Sequence, residues 1–109
     1  ITDDSFISEL KDGKIKNYQV SPKDFGLSYG NFESIKALSP QESFEKVSLA
    51  FSGSEGSVQD MIAINSAAAL KLSGIVESLK DGVELSKSAM NEGLAQSKLE
   101  SYVKMSNNL

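Results

Sequence analysis

The chain has 109 residues, 39% hydrophobic and 24% charged, with a formal net charge of −4. That composition suits one folded unit and is short for two. Cys, His, Arg and Trp are all absent, which removes thiol nucleophiles, thiolate metal sites, His-dependent triads and the guanidinium forks that grip phosphate. No apolar run approaches the roughly 18 residues of a membrane-spanning helix. The Lys residues are scattered singly among acids, so neither a nucleic-acid stripe nor a lipid-facing basic helix is visible, and neither partner is expected. A compact chain of this size would bury about 65% of its unfolded surface, on the order of 11,000 Å².

The first twenty residues read as a β-hairpin. Phe6 to Leu10 and Ile15 to Val20 alternate partly with period two, and Asp12-Gly13 between them suits the positive φ angles of a type I′ turn. Tyr18 and Val20 share a face; Ile15 is out of phase with them. Ser21-Pro22-Lys23-Asp24-Phe25-Gly26 carries a cap, Pro at the first helical position, an early acid and a Gly stop, which predicts a single helical turn. Leu27 to Gly30 reads as a loop. Asn31 can cap a short helix through Leu38, with Phe32, Ile35 and Ala37 or Leu38 on one face.

From Ser39 onward the pattern is helical. Ser39-Pro40-Gln41-Glu42 opens a helix in which Phe44, Val47, Ala50 and Phe51 recur until Gly53. Ser57 with Asp60 opens the longest and most apolar helix, Val58 to Leu72, which Gly74 can end. Ser78 with Asp81 opens the next, carrying Val83, Leu85 and Met90, broken at Gly93. A last helix runs from about Leu94 to Met105 with Leu99, Tyr102 and Val103. The expected fold class is therefore α+β: an N-terminal β-hairpin and turn over residues 1–30, then four to five helices over residues 31–109, in a single unit.

Candidate chemistry is sparse. Asp3-Asp4 could offer carboxylate oxygens to Mg²⁺, but one pair supplies too few ligands and reads better as a solvated terminus. Gly53-Ser54-Glu55-Gly56-Ser57 leads into a helix start where backbone amides could cradle an anion. It lacks the Lys of a Walker loop, and Glu55 would repel phosphate, so it reads as a helix-to-helix connection. Asn65 falls on the apolar stripe of the long helix near Met61, Ile62, Ala68 and Ala69; a substrate contact is one reading, and a buried amide with an interhelical hydrogen bond is the one expected. Ser66-Ala67-Ala68-Ala69 is slim enough to let a neighbouring element approach closely. Tyr18, Tyr29 and Tyr102 are too dispersed to stack bases and read as core-edge residues. No residue of the chain is assigned a catalytic, cofactor-binding or metal-binding role.

Three stretches in order resemble the carboxy-terminal part of the anthranilate phosphoribosyltransferase family. Glu9-Leu10-Lys11-Asp12-Gly13-Lys14-Ile15, with Tyr18, Ser21-Pro22 and Asp24-Phe25-Gly26-Leu27, is similar to its Glu-Leu strand, Asp-Gly turn and Pro-x-Asp-Phe-Gly segment. Phe51-Ser52-Gly53, Gly56, Asp60 and Ile64-Asn65-Ser66-Ala67-Ala68-Ala69-Leu70 resemble its Leu-x-Gly, Asp and Leu-Asn-Ala-Ala-Ala-Ala-Leu run. Ser78-Leu79-Lys80-Asp81-Gly82-Val83-Glu84-Leu85-Ser86, Gly93 and Lys98-Leu99-Glu100 are similar to its Ser-Leu-x-x-Gly-Val-Glu-Leu-Ala run and closing helix.

The resemblance implies the carboxy-terminal part of an α/β domain of the type shared with nucleoside phosphorylases. It also implies an enzyme about three times this length, a homodimer in the cytoplasm. That enzyme transfers phosphoribosyl from phosphoribosyl pyrophosphate to anthranilate in tryptophan biosynthesis with Mg²⁺. The family's Gly-Thr-Gly-Gly-Asp loop, Lys-His-Gly-Asn segment, anthranilate-binding Arg and Asp-Glu metal pair precede the matched region and do not occur here. The chain is therefore expected to be a fragment, one chain of a split enzyme or a truncated product, inactive alone. Its partner would be the remaining N-terminal portion, and the Mg²⁺ ligands would lie outside this chain. The alternative is a stand-alone, non-enzymatic helical interaction module.

Overall fold

Strands β1 (Ser5–Lys11) and β2 (Lys14–Val20) pair antiparallel, from Ser5 opposite Val20 to Lys11 opposite Lys14, in the computed structural model, which describes residues 1–109. Asp12 and Gly13 take φ values of 52° and 74° at the turn, the left-handed pair a type I′ hairpin requires. Ser21 then starts a 3-10 turn, Pro22–Phe25; its N–H donates to Asp24 Oδ2 at 2.7 Å. That turn sends Phe25 and Leu27 into the core.

Five helices follow: α1 (Phe32–Ile35), α2 (Pro40–Phe51), α3 (Ser57–Leu72), α4 (Leu79–Asn91) and α5 (Leu94–Asn107). The hairpin and five helices are the expected α+β class. Helix α1 is shorter than the run to Leu38 that the sequence suggests. Ser39 precedes a proline and is held extended, φ −153° and ψ 159°, as such residues are. Lys46 of α2 meanwhile reaches back to the carbonyls of Ser34 (3.0 Å) and Lys36, fixing the chain in the extended turn that follows α1. Phe32 and Leu38 stay exposed.

The cap residues divide. Ser39 Oγ accepts from Glu42 N–H at 3.1 Å and Ser78 Oγ from Asp81 N–H at 3.0 Å, as their spacing predicts. Ser57 does not cap α3. It lies inside the helix behind Gly56, and its Oγ accepts instead from Asn31 N–H at 3.2 Å. Asp60 is likewise drawn away: Lys87 Nζ of α4 sits 2.6 Å from its Oδ1.

Helices α3 and α4 form the tightest helix pair. At their crossing a Cβ placed on Gly82 would stand 2.7 Å from Ala67 Cβ and 2.8 Å from Ala67 Cα, so the backbones touch where the small-residue run of α3 was expected to admit a neighbour. Ala63, Ala67, Val83 and Met90 join Phe25 and Leu27 in the core. That core is small: 11 of 109 residues are buried. The accessible surface is 7644 Å², against about 5,900 Å² for a compact monomer of this mass. Burial on folding is thus about 55% rather than about 65%. The radius of gyration, 15.2 Å, also exceeds the roughly 13 Å of a compact domain this long.

Candidate functional site

The hairpin leans over α3 and α4 and leaves a cleft of about 200 Å³ beneath it. Ile7, Val20, Phe25, Ile64, Leu79 and Val83 supply its apolar walls. Asn65 reaches this cleft, but not as a buried interhelical bridge: it is exposed, and its Nδ2 donates to Met61 O of its own helix at 2.8 Å. Ala63 and Ala67 hold the buried stripe of α3, and Asn65 lies about 200° around the helix from each of them.

The buried amide is Gln59, which the sequence reading passed over. It is 1% exposed; its Nε2 donates to Ala50 O at 3.2 Å and Asn91 Oδ1 at 3.0 Å, tying α2 and α4 to the start of α3. A usable signal existed, because Gln59 stands four residues before Ala63, on the stripe through Ala67.

Asp3-Asp4 is engaged in local hydrogen bonds. Both carboxylate oxygens of Asp4 accept hydrogen bonds, Oδ1 from the Tyr29 hydroxyl and Oδ2 from Gln19 Nε2 at 3.0 Å, and Asp3 Oδ1 accepts from Asp4 N–H at 2.8 Å. The Tyr29 pKa is raised, chiefly by that bond to Asp4 and then by burial. No group of three or more His, Cys, Asp or Glu side chains converges anywhere. The Mg²⁺ that the family resemblance implies finds no cluster of three such side chains in these residues.

The Gly53–Ser57 stretch connects α2 to α3 as a plain loop, with Ser54 N–H donating to Leu49 O at 3.0 Å. Of the tyrosines, Tyr18 is half-buried and Tyr29 partly exposed, while Tyr102 is 70% exposed on α5, a helix with no buried residue, rather than at a core edge. A second groove, of about 540 Å³, runs between α3 and α4 past Phe51 and Ala95. Ser86 Oγ is buried there without a partner, and no basic or acidic side chain lines the groove to activate it.

One charged cluster joins hairpin to helices. Glu9 Oε1 accepts from the Tyr18 hydroxyl at 3.1 Å and from Lys71 Nζ of α3 at 3.2 Å. The Lys71 bond, followed by the Tyr18 bond, holds the Glu9 carboxyl below its ordinary range. Burial first, and then the bond to Glu9, push the Tyr18 phenol up. A carboxyl whose folded pKa is depressed adds stability above its unfolded value and loses it as pH falls through the folded one. Urea midpoints measured from about pH 6 down to about pH 3 are expected to fall further for the natural chain than for Glu9→Gln. Parallel curves would refute the coupling.

Over 106 residues the chain is 37% identical to the anthranilate phosphoribosyltransferase of Vesicomyosocius okutanii subsp. Calyptogena okutanii, covering 97% of this chain and 31% of that protein. It is 38% identical over 104 residues to the enzyme of that name from Neisseria meningitidis serogroup C, covering 94% of this chain and 30% of the other. The crystal structure of anthranilate phosphoribosyltransferase from Thermus thermophilus superposes with a TM-score of 0.74 at 29% identity, over 81% of this chain and 27% of that one. The chain thus spans less than a third of the length of the curated relatives it matches. Residues 1–96 match the model described as "Glycosyl transferase family, a/b domain", and the chain belongs to that family.

Proposed function

We propose that these 109 residues are the carboxy-terminal framework segment of an anthranilate phosphoribosyltransferase, one part of its larger α/β catalytic domain. The parent transfers phosphoribosyl from phosphoribosyl pyrophosphate to anthranilate, a step of tryptophan biosynthesis, as a cytoplasmic homodimer. The groups that grip the pyrophosphate, the Mg²⁺ and the anthranilate belong to polypeptide outside this stretch.

The observation that carries the reading is the surface. A chain exposing 7644 Å², about 1,700 Å² more than a compact monomer of its mass, leaves surface that the rest of a larger domain would cover. Its two apolar clefts are lined by a single titratable side chain, Asp3, its one convergent titratable cluster, Glu9, Tyr18 and Lys71, is paired within itself, and no Arg is present to clamp a phosphate. What it offers instead is positioning: the α3–α4 pair, locked at Gly82 and Ala67 and tied by Gln59 and the Asp60–Lys87 ion pair, is a rigid support.

The test is turnover. The purified 109-residue chain, given phosphoribosyl pyrophosphate, anthranilate and Mg²⁺, is expected to form no product above a protein-free blank, while the longer polypeptide does. Product from the short chain alone would overturn the framework reading.

A further inference from the structure

The two faces of the hairpin divide the charges of its strands unequally. Ser5, Ile7, Glu9 and Lys11 pair with Val20, Tyr18, Lys16 and Lys14 on the face turned toward the helices. That face carries every charge of the two strands. The opposite face holds Phe6, Ser8 and Leu10 against Gln19, Asn17 and Ile15 and carries none, although Phe6 is 85% exposed, Leu10 69% and Ile15 72%. The solvated face of an antiparallel sheet is ordinarily its polar one.

Two hydrogen bonds pair part of the polar content of the bare face. Ser8 Oγ donates to Asn17 Oδ1 at 2.7 Å across the strands, and Gln19 Nε2 donates to Asp4 Oδ2 at 3.0 Å. A cover laid over this face keeps those two bonds and has to leave Asn17 Nδ2 and Gln19 Oε1 in water at its rim or meet them with polar groups of its own.

From this juxtaposition we propose that the outer hairpin face, centred on Leu10 and Ile15 with Phe6 at its far end, is a docking surface for an uncharged apolar face of the same longer polypeptide. The proposal rests on the framework reading above for its occupant. A second copy of the chain fits less well. The three side chains offer on the order of 400 Å², about half of what each partner of a stable complex buries. A patch that small holds a cover only where the cover is tethered, since a linker replaces association entropy with a high local concentration. The relatives carry more than two thirds of their length outside the matched region, which supplies such a tether.

The chain has no Cys, which makes thiol labelling a clean probe. Ser8→Cys, close to isosteric, reports on the centre of the outer face; Ile15→Cys reports on it again should Ser8→Cys fold poorly. Lys14→Cys reports on the charged face. Maleimide labelling of each, resolved by peptide mass in the longer protein, is compared between native and denatured states. The expected result is protection of at least about tenfold at positions 8 and 15 and little at 14, unchanged on dilution. Equal rates at 8, 15 and 14 would overturn the docking surface, as would protection that disappears on dilution, which would assign the cover to a second copy. Phosphoribosyl transfer by the same longer protein is assayed separately. Its absence would sink the framework reading and leave the labelling result standing.

Discussion

Gly82→Val is expected to destabilise the fold by about 3 kcal/mol or more. A Cβ at position 82 meets Ala67 Cβ at 2.7 Å, Ala67 Cα at 2.8 Å and Ala67 O at 3.1 Å. Two of those three neighbours are backbone atoms and cannot swing aside. Gly82→Ala sets two effects against each other: overpacking costs about 1–3 kcal/mol, while replacing Gly inside a helix returns about 0.5–1 kcal/mol. The clash wins, leaving a net loss of about 1–2 kcal/mol. Adding Ala67→Gly removes the 2.7 Å contact but leaves the one to Cα, so recovery is expected to be partial. Urea midpoints of the two single variants and the double variant measure this coupling. A Gly82→Ala protein as stable as the natural chain would show that α3 and α4 are not held at this distance.

Gln59→Ala is expected to cost about 3 kcal/mol, combining a cavity with a lost buried hydrogen bond. Its two acceptors suffer unequally. Ala50 O keeps a second donor, Gly53 N–H at 3.1 Å, whereas Asn91 Oδ1 loses the bond at 3.0 Å. Gln59 Oε1 is itself buried without a partner, so deleting it recovers part of the loss. Gln59→Leu, which fills the space and removes that oxygen, is therefore expected to cost less, about 1–2 kcal/mol. Denaturation midpoints decide the order: Leu as damaging as Ala would mean that the hydrogen bond outweighs the cavity. A cost below about 1 kcal/mol for Gln59→Ala would remove the residue from the architecture.

The residues that the sequence brings to attention and those the fold relies on overlap only in part. The Ala67 region was visible as a slim stretch, and Gly82 fell within a recognisable family segment. Asn65 drew attention because α3 is apolar on most sides. With Met61, Ile62, Ile64, Ala67, Ala68 and Ala69 all available, periodicity alone does not phase such a helix. The crossing of α4 at Ala67 phases it, burying Gln59, Ala63 and Ala67 and turning Asn65 outward. Asp60 and Ser57 were assigned to a cap by spacing, yet Lys87 and Asn31, distant in sequence, claim their side chains.

By itself the sequence determined the hairpin turn at Asp12-Gly13, the 3-10 turn after Ser21, the helix starts at Ser39 and Ser78 and the absence of acid–base groups other than carboxylates, amines and phenols. Each depends on atoms within about four residues of one another, or on residue type alone. Only the tertiary structure decided which amide is buried, where α1 stops and which face of the hairpin looks outward. Those outcomes depend on groups brought in from other elements, such as Lys46 at α1, Lys71 at Glu9 and α4 at Ala67. Local patterns fix backbone conformation, but burial is a property of the contact between two elements.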